Sequence, residues 1–156
     1  MSQKPIPLTP EGLRHFEEEL ELLRTVRRPQ VAEELKRAKE VGGTVNNAEY
    51  EAAKNEQGFV EGRVRQLENI LRNASVIARE TAPPQWIKLG TRVTLVDPEG
   101  HPEQYTIVGS AEADPRHGLI SNESPVGRAL LGARIGQQVE VLAPGGVISY
   151  TVVAIE

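Results

Sequence analysis

The chain has 156 residues, of which 38% are hydrophobic and 26% charged, with a formal net charge of −4. Those values describe an ordinary soluble chain of one or two small domains, and they argue against nucleic-acid binding over the whole surface, leaving room only for a local basic patch. The sequence contains no cysteine, which excludes disulfides, thiolate zinc sites and cysteine nucleophiles and fits a cytoplasmic protein.

The N-terminal MSQKPIPLTPEG lacks the apolar core of a secretory signal, and no apolar run of about 18 residues offers a membrane span. Thr9 is the predicted N-cap of a first helix, with Pro10 at its first position and Gly12 just inside. Leu13, Phe16, Leu20 and Leu23 follow at steps of three and four, a single apolar stripe. Pro29 removes a backbone donor and is expected to kink the helix or reset its phase; the stripe resumes with Val31, Leu35 and Ala38. In the next stretch Ala53, Gln57, Val60, Val64, Leu67 and Leu71 step by four and three in alternation, the a/d seam of a coiled coil. Two such helices joined by a short loop predict an antiparallel hairpin over residues 1–78, with its tip at 42–47 and arms reaching on the order of 45 Å. The numerous Glu residues read as a solvated face with i,i+4 partners such as Glu33 with Arg37.

Residues 79–88 read as a linker stiffened by Pro83 and Pro84. Beyond it, residues 91–97, 104–109, 137–143 and 147–155 are rich in β-branched and aromatic residues and predict strands. The turns are marked by DPEGHP and PGG. SPVGRALLG, residues 124–132, predicts one short helix with Ser124 as cap, Pro125 first and Gly132 at the end. The predicted fold class is α+β: an N-terminal coiled-coil hairpin and, over 89–156, a curled antiparallel sheet with one short helix.

The chemistry legible in the sequence is sparse. Ser, His and Asp lack any triad context such as GxSxG, VGG at 41–43 lacks the Lys-Ser/Thr of a phosphate loop, and His15, His101 and His117 stand at no metal-ligand spacing. These features argue against an enzyme and for a protein that presents a rod.

LTPEGL, ELELLRTVRRP, NAEYEAAKNEQGFVEGRV and SPVGRALLG with its following VEV and PGG occur in an order that resembles the bacterial GreA-like Gre transcript-cleavage factors over nearly the whole chain. The resemblance implies an FKBP-like C-terminal domain that docks on the rim of the RNA polymerase secondary channel. It also implies a coiled coil that enters the channel and brings two tip carboxylates to a second Mg²⁺, with cleavage of the backtracked nascent RNA performed by the polymerase. The Mg²⁺ belongs to the polymerase, so no cofactor of the chain's own is expected, nor a membrane partner, and a monomer is implied.

The family tip reads approximately G-D-L-x-E-N-A-E-Y, whereas this chain reads G-G-T-V-N-N-A-E-Y. Gly43 stands at the Asp position and Asn46 at the Glu position, so both acids are missing and no catalytic or metal residue is expected. Hard Mg²⁺ takes anionic oxygen ligands, and neither residue supplies one. The alternatives are a natural paralogue that competes with active Gre factors, an engineered inactive variant, a channel occupant that keeps part of the function, and a stimulator acting through other residues. An FKBP-like chaperone or adaptor is an alternative of another class. The resemblance assigns Glu123, Ser124 and Pro125 to polymerase docking. Lys36, Arg37, Lys39, Lys54, Arg63 and Arg65 are candidates for a basic patch.

Overall fold

The computed structural model describes residues 4–41, 48–78 and 82–156. The chain divides into two compact units, one formed by Leu13–Asn73 and the other by Met1–Gly12 with Ala74–Glu156.

The first unit is the helical hairpin. Its first arm runs through α1 (Pro10–Leu22), a π-helical turn (Leu23–Arg27) and α2 (Arg28–Val41); its second arm is α3 (Ala48–Arg72). The reversal expected at 42–47, with Gly43 and Asn46, lies outside the described residues. Phe16, Leu20, Val31, Leu35 and Ala38 are buried on the first arm, and Ala53, Val60, Val64 and Leu67 on the second, as the periodicity predicts. At its end the seam differs. Leu67 is followed by apolar residues at both i+3 and i+4, and Ile70 is buried to 6% exposure while Leu71 is only half-buried. The stripe there broadens beyond a strict a/d line.

The phase reset expected near Pro29 occurs just upstream of it. The π turn bonds Arg28 N–H to Leu23 O, five residues back. Leu23, Arg27, Val31 and Leu35 follow at steps of four, more than a heptad average of 3.5, and the wider π turn absorbs the surplus residue. Pro29, lacking an N–H, follows directly on the π turn within an unbroken helical run, so the preceding turn gives up one backbone hydrogen bond there.

Charged side chains fix the register of the two arms. Arg63 grips Glu19 with two hydrogen bonds of 2.6 and 2.8 Å, and Arg28 grips Glu61 with two of 2.8 and 2.9 Å. Arg27 reaches Glu56 at 2.9 Å, and Arg24 pairs with Glu68. These contacts hold the Arg27, Arg28 and Arg63 guanidiniums above, and the Glu61 carboxyl below, their ordinary pKa values, hydrogen bonding to the partner being the main cause in each case.

The second unit is built on a five-stranded sheet of order β5-β4-β3-β7-β6. The strands are β3 (Arg92–Val96), β4 (Pro102–Val108), β5 (Leu119–Ser121), β6 (Gln138–Ala143) and β7 (Gly146–Ile155), with the short helix α4 (Pro125–Leu130) between β5 and β6. The expected antiparallel sheet is present, with β5 added along β4 as a parallel edge strand. Alternation places Val93, Leu95, Ile107, Val139, Val141, Val152 and Ile155 in one apolar cluster, closed by Ile87, Ile120, Leu130 and Ala133. Arg92 lies opposite Thr106, and Val93 opposite Ile155 across the other edge of β3.

A further pair of three-residue strands, β1 (Ile6–Leu8) and β2 (Ala74–Val76), was not expected; they pair in parallel, Ile6 facing Ala74. Residues 4–12 and 74–78, assigned to the hairpin by sequence pattern, group instead with the sheet unit. Leu8 is fully buried, and a Cβ on Gly109 would lie 2.7 Å from Pro7 O, so only glycine lets β1 approach this closely. The predicted cap at Thr9 is real: its Oγ1 accepts from Gly12 N–H at 3.0 Å. The Glu112 carboxylate, distant in sequence, accepts from both Thr9 N–H, at 3.0 Å, and Thr9 Oγ1. Among the described residues no helix is long and apolar enough to cross a membrane.

Candidate functional site

The docking segment predicted at residues 123–125 lies between β5 and α4, and the chain's own chemistry shapes it. Ser124 takes an extended conformation (φ −70°, ψ 158°) and its Oγ accepts from Gly127 N–H at 3.1 Å, the N-cap expected. The same hydroxyl donates to Ser121 O at 2.7 Å, folding the segment back onto the strand it leaves. Ser110 Oγ donates to Glu123 Oε2 at 2.9 Å and lies 2.8 Å from Ser121 Oγ. Glu123 and Pro125 are exposed side by side, the first held by a serine and the second by its ring, so the segment presents a fixed acidic-apolar corner.

Sequence reasoning passed over Ser110, Ser121 and Gly127. The one available signal was a glycine inside a predicted helix, where it costs stability unless packing demands it. Packing does demand it: a Cβ on Gly127 would lie 2.0 Å from Ser121 O.

The six basic candidates do not form one cluster. Lys36, Arg37 and Lys39 are exposed on α2, Arg37 paired with Glu33 at 3.6 Å. Lys54 and Arg65 share a face of α3, since eleven residues make about three turns. Lys54 reaches Gln57 at 3.4 Å, and Arg65 bonds Glu61 O at 3.4 Å. Arg63 points the other way, half-buried against Glu19 with its guanidinium carbon 6.0 Å from the Phe16 ring centre.

Among the described residues one group could hold a metal ion: Asp97, Glu99 and His101 on the β3–β4 turn, with ligand atoms within 4.8 Å of one another. His101 Nδ1 is 3.1 Å from Asp97 Oδ2, and the Asp97 carboxyl is held below its ordinary pKa, chiefly by His101 N–H. This turn belongs to the sheet unit, not the rod. Gly43 and Asn46, the two positions singled out in the sequence, carry no anionic side chain and lie outside the described residues.

A groove in the sheet unit is bordered by Thr9, Ile77, Pro84, Leu89, Thr91 and Ile155, with no aromatic in its lining.

Two family descriptions match in tandem, "Transcription elongation factor, N-terminal" over residues 6–76 and "Transcription elongation factor, GreA/GreB, C-term" over residues 82–156. The chain belongs to the GreA/GreB family of transcription elongation factors. It is 47% identical over 156 residues to the transcription elongation factor GreA of Geobacillus kaustophilus, covering 99% of both chains. It is 49% identical over 155 residues to that of Acetivibrio thermocellus, covering 99% of this chain and 98% of the relative. Among solved structures, GreA factor homolog 1 of Thermus thermophilus is 33% identical, with 98% of this chain and 99% of that chain covered and a TM-score of 0.45. The junction between the two Gre matches falls at residues 77–81, after β2 and overlapping only the start of the linker expected at 79–88.

Proposed function

We propose that this GreA/GreB-family chain binds RNA polymerase as a monomer, places its coiled coil in the secondary channel, and does so without stimulating cleavage of backtracked RNA. It then acts as a competitor or modulator of active Gre factors. The reading rests on one observation: a Gre chain matched across both segments carries GGTVNNAEY where two tip acids are expected.

In this account the residues 123–125 corner meets the channel rim, its shape set by the Ser110–Glu123 and Ser124–Ser121 bonds. The Arg–Glu ladder keeps the two arms in register, so that α3, about 37 Å long, delivers the tip at a fixed place. Any hydrolysis belongs to the polymerase, and the chain is not itself an enzyme. Gly43 and Asn46 supply no anionic ligand, so no step passes through a metal held by this chain.

The deciding experiment follows RNA released from a stalled elongation complex at fixed Mg²⁺. The unmodified chain is expected to release nothing above background and to reduce release driven by an active Gre factor. Gly43→Asp together with Asn46→Glu is expected to restore cleavage, and either change alone to do much less, because such carboxylates act as a unit. Strong stimulation by the unmodified chain overturns the proposal. That outcome would establish a second reading, which the 47% and 49% identity to chains named GreA favours: stimulation through other residues.

A further inference from the structure

The chain's one tryptophan lies outside the core of the sheet unit. Ile87 is buried, and its backbone is bonded on both sides to the turn that follows α4: Ile87 N–H donates to Ala133 O and Gly132 N–H to Ile87 O, each at 2.8 Å. Trp86, the residue before it, is left 41% exposed beside that turn. Two cations lie over its ring, Lys88 Nζ at 5.3 Å from the centre and Arg134 Cζ at 5.8 Å. Leu131 and Ile135 on the same turn are exposed as well, Ile135 to 61%. The stretches that build this patch, residues 82–90 and 131–139, contain no Asp or Glu, in a chain whose net charge is −4. Leu131 is the C-cap of α4 and Ser124 its N-cap, so the patch and the corner at 123–125 flank opposite ends of that helix.

We infer that this patch docks an acidic segment of a partner protein that also presents an apolar side chain. Charge complementarity selects the sign: two cations, with no carboxylate in either contributing stretch, attract Asp and Glu and repel a basic partner. The apolar half selects the rest. Trp and Arg are enriched among the anchors of protein interfaces, and covering Trp86 removes water from the cations around it, which strengthens their attraction. Leu131 and Ile135 offer aliphatic surface that an apolar side chain can bury. The same observations argue against RNA. A base would have to stack on a ring over which two cations already lie, Leu131 and Ile135 offer no stacking face, and two cations neutralise few phosphates. The inference goes beyond the polymerase reading and stands apart from it, because it is tested with the chain and a peptide alone.

As the only tryptophan, Trp86 reports on its own site. Its fluorescence is followed while the full chain is titrated with a synthetic peptide repeating Asp-Phe-Glu-Leu, with a second peptide in which Lys replaces both acids, and with single-stranded poly-uridylate. The acidic peptide is expected to shift the emission to the blue, with an affinity that falls as salt rises, and the other two to leave it unchanged. Anisotropy of the labelled acidic peptide extends the test to variants. Arg134→Glu and Trp86→Ala are each expected to weaken binding by about tenfold or more, and Arg134→Lys to keep most of it. No response to the acidic peptide up to about 1 mM overturns the proposal. Binding that survives both Arg134→Glu and Trp86→Ala overturns it by placing the peptide elsewhere. An equal response to the basic peptide overturns the charge argument, and a response to poly-uridylate alone assigns the patch to nucleic acid instead.

Discussion

The two units keep their shape by different means. In the rod the apolar seam is one row deep on each arm, and arginine–glutamate pairs at its edges set which residue meets which. In the sheet unit eleven residues from strands, linker and helix close on one another, and backbone ladders set the register. The rod is therefore specified locally along its length, and the sheet unit by contacts that form only when distant segments meet.

Equal truncations test that difference most strongly. Leu95 in the sheet and Leu67 in the rod are both fully buried. Leu95→Ala is expected to cost about 3–5 kcal/mol and Leu67→Ala about 2–3 kcal/mol, because the cost depends on how far the surroundings collapse into the gap and two helices can close where a sheet cannot. Urea unfolding followed by separate probes in each unit reads both values; equal losses would show the rod to be as confined as the sheet.

The same glycine-to-alanine change should have opposite signs in the two units. Gly127→Ala drives a Cβ into Ser121 O and is expected to lower stability by about 2 kcal/mol or more. Gly58 lies in the middle of α3 with nothing within 4 Å of an added Cβ, so Gly58→Ala should raise stability by about 0.5–1 kcal/mol. Melting temperatures of the two variants check the signs.

Removing a rung of the ladder is expected to do less. Arg63→Ala should cost at most about 1 kcal/mol, since the pair with Glu19 is only part-buried. Its larger effect should be on register, seen as broadened amide signals across Glu19 and its neighbours.

The smallest effect is that of pH. Arg28 holds the Glu61 carboxyl below its ordinary pKa. A carboxyl whose folded value is depressed contributes stability fully above its unfolded value and loses it as pH falls through the folded one. Acidifying from about pH 6 to about pH 3 should lower the rod's urea midpoint, and Glu61→Gln should flatten that dependence.

The legible parts of the molecule were those that repeat. Val60, Val64 and Leu67 declare a helix seam by period, and β3, β4, β6 and β7 declare themselves by β-branched content and alternation. Strands of three residues declare nothing: IPL, ASV and LIS are too short to show a pattern, so β1, β2 and β5 went unread. The π turn was signalled only indirectly, by Pro29 and the shifted stripe. The corner at residues 123–125 was legible as a cap, but Ser110 lies far upstream of Glu123, and no local spacing announces their bond. Nor does any announce the hold of Glu112 on Thr9.

The pairing of β1 with β2 makes the rod an insertion. The chain leaves the sheet unit after Gly12 and re-enters it at Ala74, and Ile6 lies directly beside Ala74. Residues 13–73 thus form most of the crossover between two parallel strands. A ribosome releases them before β3–β7, so the rod can zip while its anchoring strand still waits for a sheet. The same geometry sets what can replace the rod: because β1 and β2 run parallel, no tight turn can join them, and a sheet unit without the rod needs a crossover of about a dozen residues or more in its place.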